Sequence, residues 1–105
     1  MYTEKEVNEL SNTLWGITER MNRTIAKWEE AGVDKSDMCI LASSFKVLGR
    51  TFTAQWVFTS GNCYNTILRN DDKCEEIGLT LPSAEVESNI TAVALLEIAT
   101  KLQQQ

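Results

Sequence analysis

Residues 38–70 read MCILASSFKVLGRTFTAQWVFTSGNCYNTILRN, and this stretch decides the fold. It contains all three phenylalanines of the chain, and its only charged residues are Lys46, Arg50 and Arg69. All fifteen Asp and Glu residues lie in the flanking segments. An apolar centre between acidic ends predicts a central element that is buried by the rest of the fold or by a second copy of it.

A helical pattern runs through most of this stretch. Its apolar stripe passes through Gly49 without a change of phase, which favours one continuous helix over a strand that begins at Arg50. Asp34 is a suitable N-cap for such a helix. The stripe consists of Met38, Leu41, Phe45, Leu48, Phe52, Trp56 and Cys63, with Ile67 at its edge.

A β-hairpin at about residues 50–69 is the alternative. Residues 51–59 are rich in β-formers, and residues 60–62 are suited to turn the chain back into a second strand. The alternating apolar positions would be Phe52, Ala54, Trp56 and Phe58. Because an isolated two-stranded ribbon is only marginally stable, we favour the helix, with a break or kink near Gly61.

The segment before this stretch predicts a long first helix over residues 3–31. Thr3 and Glu6 form a capping box, and Gly32 supplies the left-handed residue that ends a helix in a Schellman motif. Its apolar residues recur at spacings of three and four; they are Val7, Leu10, Leu14, Ile17, Met21 and Trp28. The short connection that follows predicts that the second helix returns antiparallel to the first.

The segment after residue 70 predicts one or two helical turns that end at Gly78, and then a last helix from Ser83 to about Leu102. This last helix is apolar on two sides. Val86, Ile90 and Val93 share one side, whereas Leu95, Ile98 and Leu102 lie nearly opposite. A helix with two apolar sides packs between neighbours, so the pattern predicts a homo-oligomer.

The predicted fold is therefore all-α. A long antiparallel helical hairpin and a C-terminal helix form a small bundle, and residues 1–105 make one helical domain. The alternative is an α+β fold with the hairpin described above.

Composition and charge exclude several functions. The net charge of −5 disfavours a protein that binds the nucleic-acid backbone or an anionic membrane surface. No apolar run is long enough for a spanning helix, and the N-terminal residues do not resemble a signal peptide. The three cysteines have no metal-like spacing, so reduced thiols in the cytoplasm are expected, although a Cys63–Cys74 bridge stays open.

The sequence contains no pattern typical of an active site. It has no histidine, no Gly-rich phosphate loop and no nucleophile beside a base. We therefore expect a non-catalytic protein without a metal or another cofactor.

Trp15 is the first candidate contact residue. It does not belong to the apolar stripe of the first helix, and its helical neighbours are polar. A tryptophan on a polar face is typical of protein interfaces. We therefore predict a partner-binding surface that consists of Trp15, Asn12, Glu19 and Asn22, and a small acidic protein that binds or inhibits another protein.

A set of basic residues suggests an alternative function. Arg20 and Arg23 lie on the first predicted helix, and Lys46 and Arg50 lie on the second. The forked guanidinium groups suit a phosphate-bearing ligand. The alternative function is therefore to bind or sequester a small anion such as a nucleotide at a seam between subunits.

Overall fold

The computed structural model describes residues 2–34, 39–59 and 62–104, and it shows an α+β fold. The helix α1 covers Glu4–Glu30, and four strands follow: β1 Cys39–Val47, β2 Arg50–Thr59, β3 Asn62–Asn70 and β4 Cys74–Leu79. A 3-10 turn at Glu85–Glu87 leads into the helix α2, Ser88–Gln103. The strands form one antiparallel sheet in the order β1-β2-β3-β4.

The first helix is confirmed together with its start and stop signals. The Thr3 side chain accepts a hydrogen bond from the Glu6 N–H, and the Glu6 carboxylate accepts one from the Thr3 N–H. At the other end, the N–H of Val33 donates to the carbonyl of Trp28 at 2.9 Å, and Gly32 has a φ of 69°. These bonds form the Schellman motif that the sequence predicts.

The all-α prediction is wrong, and no helical bundle forms. The described part of residues 39–70 is three strands instead of one helix. The alternative interpretation was the right one, because β2 and β3 form the hairpin at about residues 50–69. The stability argument against this hairpin fails because β1 and β4 flank it on both sides. Three residues used in these interpretations lie outside the described residues. They are Met38 of the helical stripe, and Ser60 and Gly61 of the expected turn or kink.

Alternate residues of the strands build the core. On β2, the side chains of Phe52, Ala54, Trp56 and Phe58 are buried, as the period of two requires. Phe45 of β1 lies opposite Phe52, and the two rings stack with their centroids 6.1 Å apart. We call this side of the sheet the inner face.

The turn between β1 and β2 contains only Leu48 and Gly49. Both residues have a positive φ, 51° for Leu48 and 81° for Gly49. Two-residue hairpin turns of this kind match the twist of the strands that they join. Gly49 is therefore a turn residue and not the interior of a helix.

The helical turns predicted after residue 70 are also wrong. Residues 74–79 form β4, which pairs with β3. The register of this pairing shifts between Ile67 and Leu68 of β3. Gly78 adopts a φ of 77° within this irregular region. Gly78 therefore accommodates the irregular pairing of β4 and does not end a helix.

Both helices pack on the inner face of the sheet. One cluster of buried side chains joins α1, α2 and the sheet; it includes Leu14, Ile17, Phe52, Ile67, Leu95 and Ala99. The helices run antiparallel, since Tyr2 near the start of α1 bonds to Glu97 of α2 and Thr18 bonds to the carbonyl of Pro82. The molecule therefore has two layers, one of helices and one of sheet.

The last helix is confirmed, but its predicted start at Ser83 is wrong, because α2 begins at Ser88 and the Ser83 hydroxyl donates to the Glu87 carboxylate instead of capping the helix. The helix has one buried and one exposed apolar side. Ala92, Leu95, Leu96, Ala99 and Leu102 are buried against the core, whereas Val86 and Ile90 are 85% and 74% exposed. Glu97, on the side of Ile90, accepts a hydrogen bond from the Tyr2 hydroxyl at 3.4 Å. The pKa of the Tyr2 hydroxyl is raised, mainly by burial and to a smaller extent by the Glu97 carboxylate. Among the described residues, no helix has the length and apolarity needed to cross a membrane.

An ion cluster attaches the end of α2 to the sheet. The Arg50 guanidinium donates to Asp71 and to the carbonyl oxygen of Leu102, both at 2.7 Å. Arg69 donates to the same carboxylate at 3.0 Å. Hydrogen bonds from Arg69, and then from Arg50, hold the pKa of the Asp71 carboxyl well below its usual value of 3.8.

Candidate binding cleft beside Trp15

A cleft of about 340 Å³ lies between α1 and the start of α2. We call it the Trp15 cleft, and its volume is at the lower end of the range for small ligand pockets. Its lining consists of Asn8, Ser11, Asn12 and Trp15 from α1, and Glu85, Ser88 and Asn89 from the 3-10 turn and α2.

Helical spacing explains why these four α1 residues line the same side of the cleft. Residues 8, 11, 12 and 15 are three, four and seven positions apart, so they form one face of the helix. Leu14 and Ile17 beside them are buried in the core, which leaves Trp15 at the edge of the buried stripe and only partly covered.

Thr18 attaches the other wall of the cleft to α1. Its buried hydroxyl donates to the carbonyl oxygen of Pro82 at 3.0 Å. Residues 83 and 84 then lead directly into the turn that carries Glu85. This bond therefore helps to hold the start of α2 beside Trp15.

Ser88 contributes an unsatisfied polar group at the cleft. The residue is only 1% exposed, and its Oγ has no hydrogen-bond partner among the described residues. A buried hydroxyl without a partner costs about 1–3 kcal/mol. A hydrogen bond to water or to a bound molecule would remove this cost.

The chemistry of the lining favours uncharged or cationic groups. Three Asn side chains and two Ser hydroxyls offer both donors and acceptors. Glu85 adds a carboxylate, and the lining residues include no Lys or Arg. The indole ring of Trp15 supplies an apolar surface that also attracts cations.

An apolar ridge adjoins the cleft. Val86 and Ile90, which define it, follow directly after the lining residues Glu85 and Asn89 and are among the most exposed large apolar residues described. The two ridge residues are therefore sequence neighbours of residues that line the cleft.

The structure brings together only part of the partner-binding surface predicted from the sequence. Trp15 and Asn12 both line the cleft. Glu19 and Asn22 are exposed farther along α1 and do not line it. Sequence reasoning missed Glu85, Ser88 and Asn89, because no local pattern indicates that the start of α2 packs beside Trp15.

The basic residues of the alternative function do not form a cluster around one cavity. Arg50 is engaged by Asp71 and Leu102. Lys46 lines a separate cavity of about 210 Å³ together with Glu6 and Glu9, which disfavour an anionic ligand. Arg20 and Arg23 are exposed on α1. Lys46 and Arg50 lie on strands, so the helix pairing that was expected to bring them level with Arg20 does not form. A site at a seam between subunits stays a prediction.

The described residues contain no group of His, Cys, Asp or Glu side chains that is suited to hold a metal ion. Cys74 carries a free, exposed thiol, so the Cys63–Cys74 bridge does not form. No protein-family model, curated protein or solved structure matches the chain.

Proposed function

We propose that this chain is a non-catalytic binding protein that recognises another protein through the Trp15 cleft and the adjoining ridge. One observation carries the proposal: Ser88, whose buried Oγ has no hydrogen-bond partner among the described residues, lines the same cleft as the partly exposed Trp15 ring. Tryptophan anchors are typical of the residues that contribute most to protein–protein binding.

The exposed ridge favours a macromolecular partner over a small ligand. A small molecule in the cleft would leave Val86 and Ile90 in water, whereas a protein surface would cover both residues and the cleft. The net charge of −5 and the Glu85 carboxylate favour a neutral or basic contact surface on that partner.

The anion-binding alternative gains no support from the arrangement of its residues. Arg50 already has two acceptors, and Lys46 lies beside two carboxylates.

Trp15→Ala tests the proposal, with Val33→Ala as the control. Val33 is an exposed apolar residue just beyond α1 and does not line the cleft. Proteins retained from the source cells by the immobilised wild-type chain are compared with those retained by each variant. We expect Trp15→Ala to lose a protein that both the wild type and Val33→Ala retain, with unchanged circular dichroism. Identical retention by all three would refute the proposal.

We further propose that the protein acts in the cytoplasm. The free, exposed thiol of Cys74 supports this proposal, since such thiols persist in reducing compartments. Alkylation of the protein in freshly lysed source cells without a reductant should label Cys74. Protein that is labelled only after reduction would contradict the cytoplasmic location.

A further inference from the structure

The sheet has a second face, on the side opposite the helices, which we call the outer face. In the described ranges, both helices pack on the inner face. The residues on the outer face alternate with the core residues, and about half of them are Thr, Ser, Asn or Gln. Among the residues that the structure describes there, two are charged: Glu76 at one edge and Lys46 at the other, and Lys46 also lines the cavity beside Glu6 and Glu9. In a chain with a net charge of −5, this face is close to neutral.

An apolar row crosses one end of the outer face. Ile40 of β1 lies opposite Val57 of β2, and Val57 lies opposite Tyr64 of β3. Cross-strand neighbours of this kind are in contact range. Ile40 is 50% exposed and Tyr64 is 58% exposed, so the row presents apolar surface to water.

We propose that the outer face is where two copies of this chain stack to form a homodimer. Electrostatics favours this face, because two acidic chains repel each other least at a surface that carries few carboxylates. Of the outer-face residues that the structure describes, Glu76 alone is acidic. This inference does not rest on the Trp15 cleft.

The size of the face agrees with a weak dimer. The strands β1, β2 and β3 have about nine residues each and cover roughly 30 Å by 14 Å, or about 430 Å², from the usual strand spacings. The shorter strand β4 lies beyond the partner's β1 and stays uncovered. Two such faces bury about 860 Å² in total, which is in the range of weak, transient interfaces.

Symmetry selects one arrangement of the two copies. A two-fold axis that runs parallel to the strands and crosses the row at Val57 places the two rows against each other. Val57 then lies on the axis, and Ile40 of each copy faces Tyr64 of the other. The same patch serves both copies, as two-fold symmetry requires, and the apolar side chains meet one another instead of the Thr and Ser residues.

Tyr64→Lys tests the interface, with Ile90→Lys as its matched control. Each variant introduces a lysine at an exposed apolar position, but Ile90 lies in the helical layer. Sedimentation equilibrium measures the mass of the intact chain, which is 11.8 kDa for one copy. We expect the wild type and Ile90→Lys to approach twice this mass with rising concentration, and Tyr64→Lys to dimerise at least about tenfold more weakly, or ~1.4 kcal/mol.

Several results would overturn the inference. One is a wild-type mass of 11.8 kDa at every concentration up to about 1 mM. Another is a loss of dimer in Ile90→Lys, whether or not Tyr64→Lys also loses it, because that result places the interface in the helical layer. A dimer that tolerates Tyr64→Lys is a third.

A charge pair tests the two-fold arrangement itself. Ile40→Glu alone should weaken the dimer, as Tyr64→Lys does. In the proposed arrangement the double variant places a carboxylate opposite an ammonium group at two symmetric positions. We expect it to bind about tenfold more tightly than either single variant. A double variant that is no tighter than the weaker single variant would refute this arrangement.

Discussion

Arg50 and Asp71 form an ion pair with 2.7 Å between Nη1 and Oδ2, and the same guanidinium donates from Nη2 to the carbonyl oxygen of Leu102. The pair therefore joins β2, the β3–β4 turn and the last turn of α2. Side chains that bond the final carbonyls of a helix satisfy groups that have no partner within the helix. In this chain that role falls to a residue 52 positions away in the sequence.

Arg50→Ala should destabilise the fold, because the variant leaves both Asp71 and the end of α2 without this donor. Hydrogen bonds to charged groups contribute about 1.5–3 kcal/mol each, and partial exposure of the pair reduces this, so we expect a total loss of about 1–3 kcal/mol. Urea unfolding at neutral pH measures it. Arg23→Ala, which removes an exposed arginine from α1, is the control and should change the free energy of unfolding little.

Asp71→Asn should lower stability in a pH-dependent way. The pKa of the Asp71 carboxyl in the folded state is below its usual value of 3.8. The ionised group therefore stabilises the fold above pH 3.8, and this contribution is lost as the pH falls towards the folded-state pKa. The difference in unfolding free energy between wild type and variant should be constant near neutral pH and shrink below pH 3.8.

The neighbouring exposed residue Asp72 provides the control for this experiment. Asp72→Asn should leave the unfolding free energy nearly unchanged at neutral pH. If Asp71→Asn behaved in the same way as Asp72→Asn at every pH, the stabilising role of the Arg50–Asp71–Arg69 cluster would be refuted.

Ser88→Ala should have opposite effects on stability and on binding. Removing a buried hydroxyl that has no partner among the described residues removes its desolvation cost, so the free chain should gain up to about 1–3 kcal/mol. The partner that satisfies this hydroxyl should bind more weakly. Thermal unfolding and partner retention measure the two effects. A destabilised variant would show that the Ser88 Oγ is already satisfied in the free protein.

Gly49→Ala should destabilise the β1–β2 turn through its backbone alone. A Cβ at Gly49 meets no atom within 4 Å, but the φ of 81° is unfavourable for any residue with a side chain. We expect a loss of about 1–2 kcal/mol in unfolding experiments. Gly16→Ala within α1, where a Cβ approaches only the end of the Arg20 side chain at 3.9 Å, should be neutral or slightly stabilising.

The first helix was predictable because its evidence is local. The capping box, the apolar stripe and the closing glycine all lie within residues 3–33, and each agrees with the others. Nothing from the rest of the chain was needed to identify α1, and packing against the sheet did not change it.

The central sheet was mispredicted because two periods coincide in this sequence. A spacing of four residues, as between Leu41 and Phe45 or between Phe52 and Trp56, keeps side chains on one face of either a helix or a strand. Phe45 and Phe52 are seven residues apart, so they would lie on opposite faces of one continuous strand. The two-residue turn between them pairs them directly and puts both on the inner face. Leucine at the first turn position hid that turn, since Asn or Gly is usual there.

The cleft could be predicted only on its α1 side. Helical spacing groups Trp15 with Asn8, Ser11 and Asn12, and the sequence therefore singled out Trp15 correctly as a residue outside the stripe. Ser88 lies more than seventy residues farther along the chain, and its position beside Trp15 follows from the antiparallel packing of α1 and α2. Contacts between such distant segments leave no periodic signal in a single sequence.

The two-layer architecture puts the Trp15 cleft and the outer face on opposite sides of a molecule whose smallest dimension is 17 Å. Occupancy of one side leaves the other unobstructed. Two copies stacked back to back would point their clefts away from each other, so the assembly would be divalent. A target with repeated copies of the recognised surface would then be held by avidity far more firmly than one cleft could hold it.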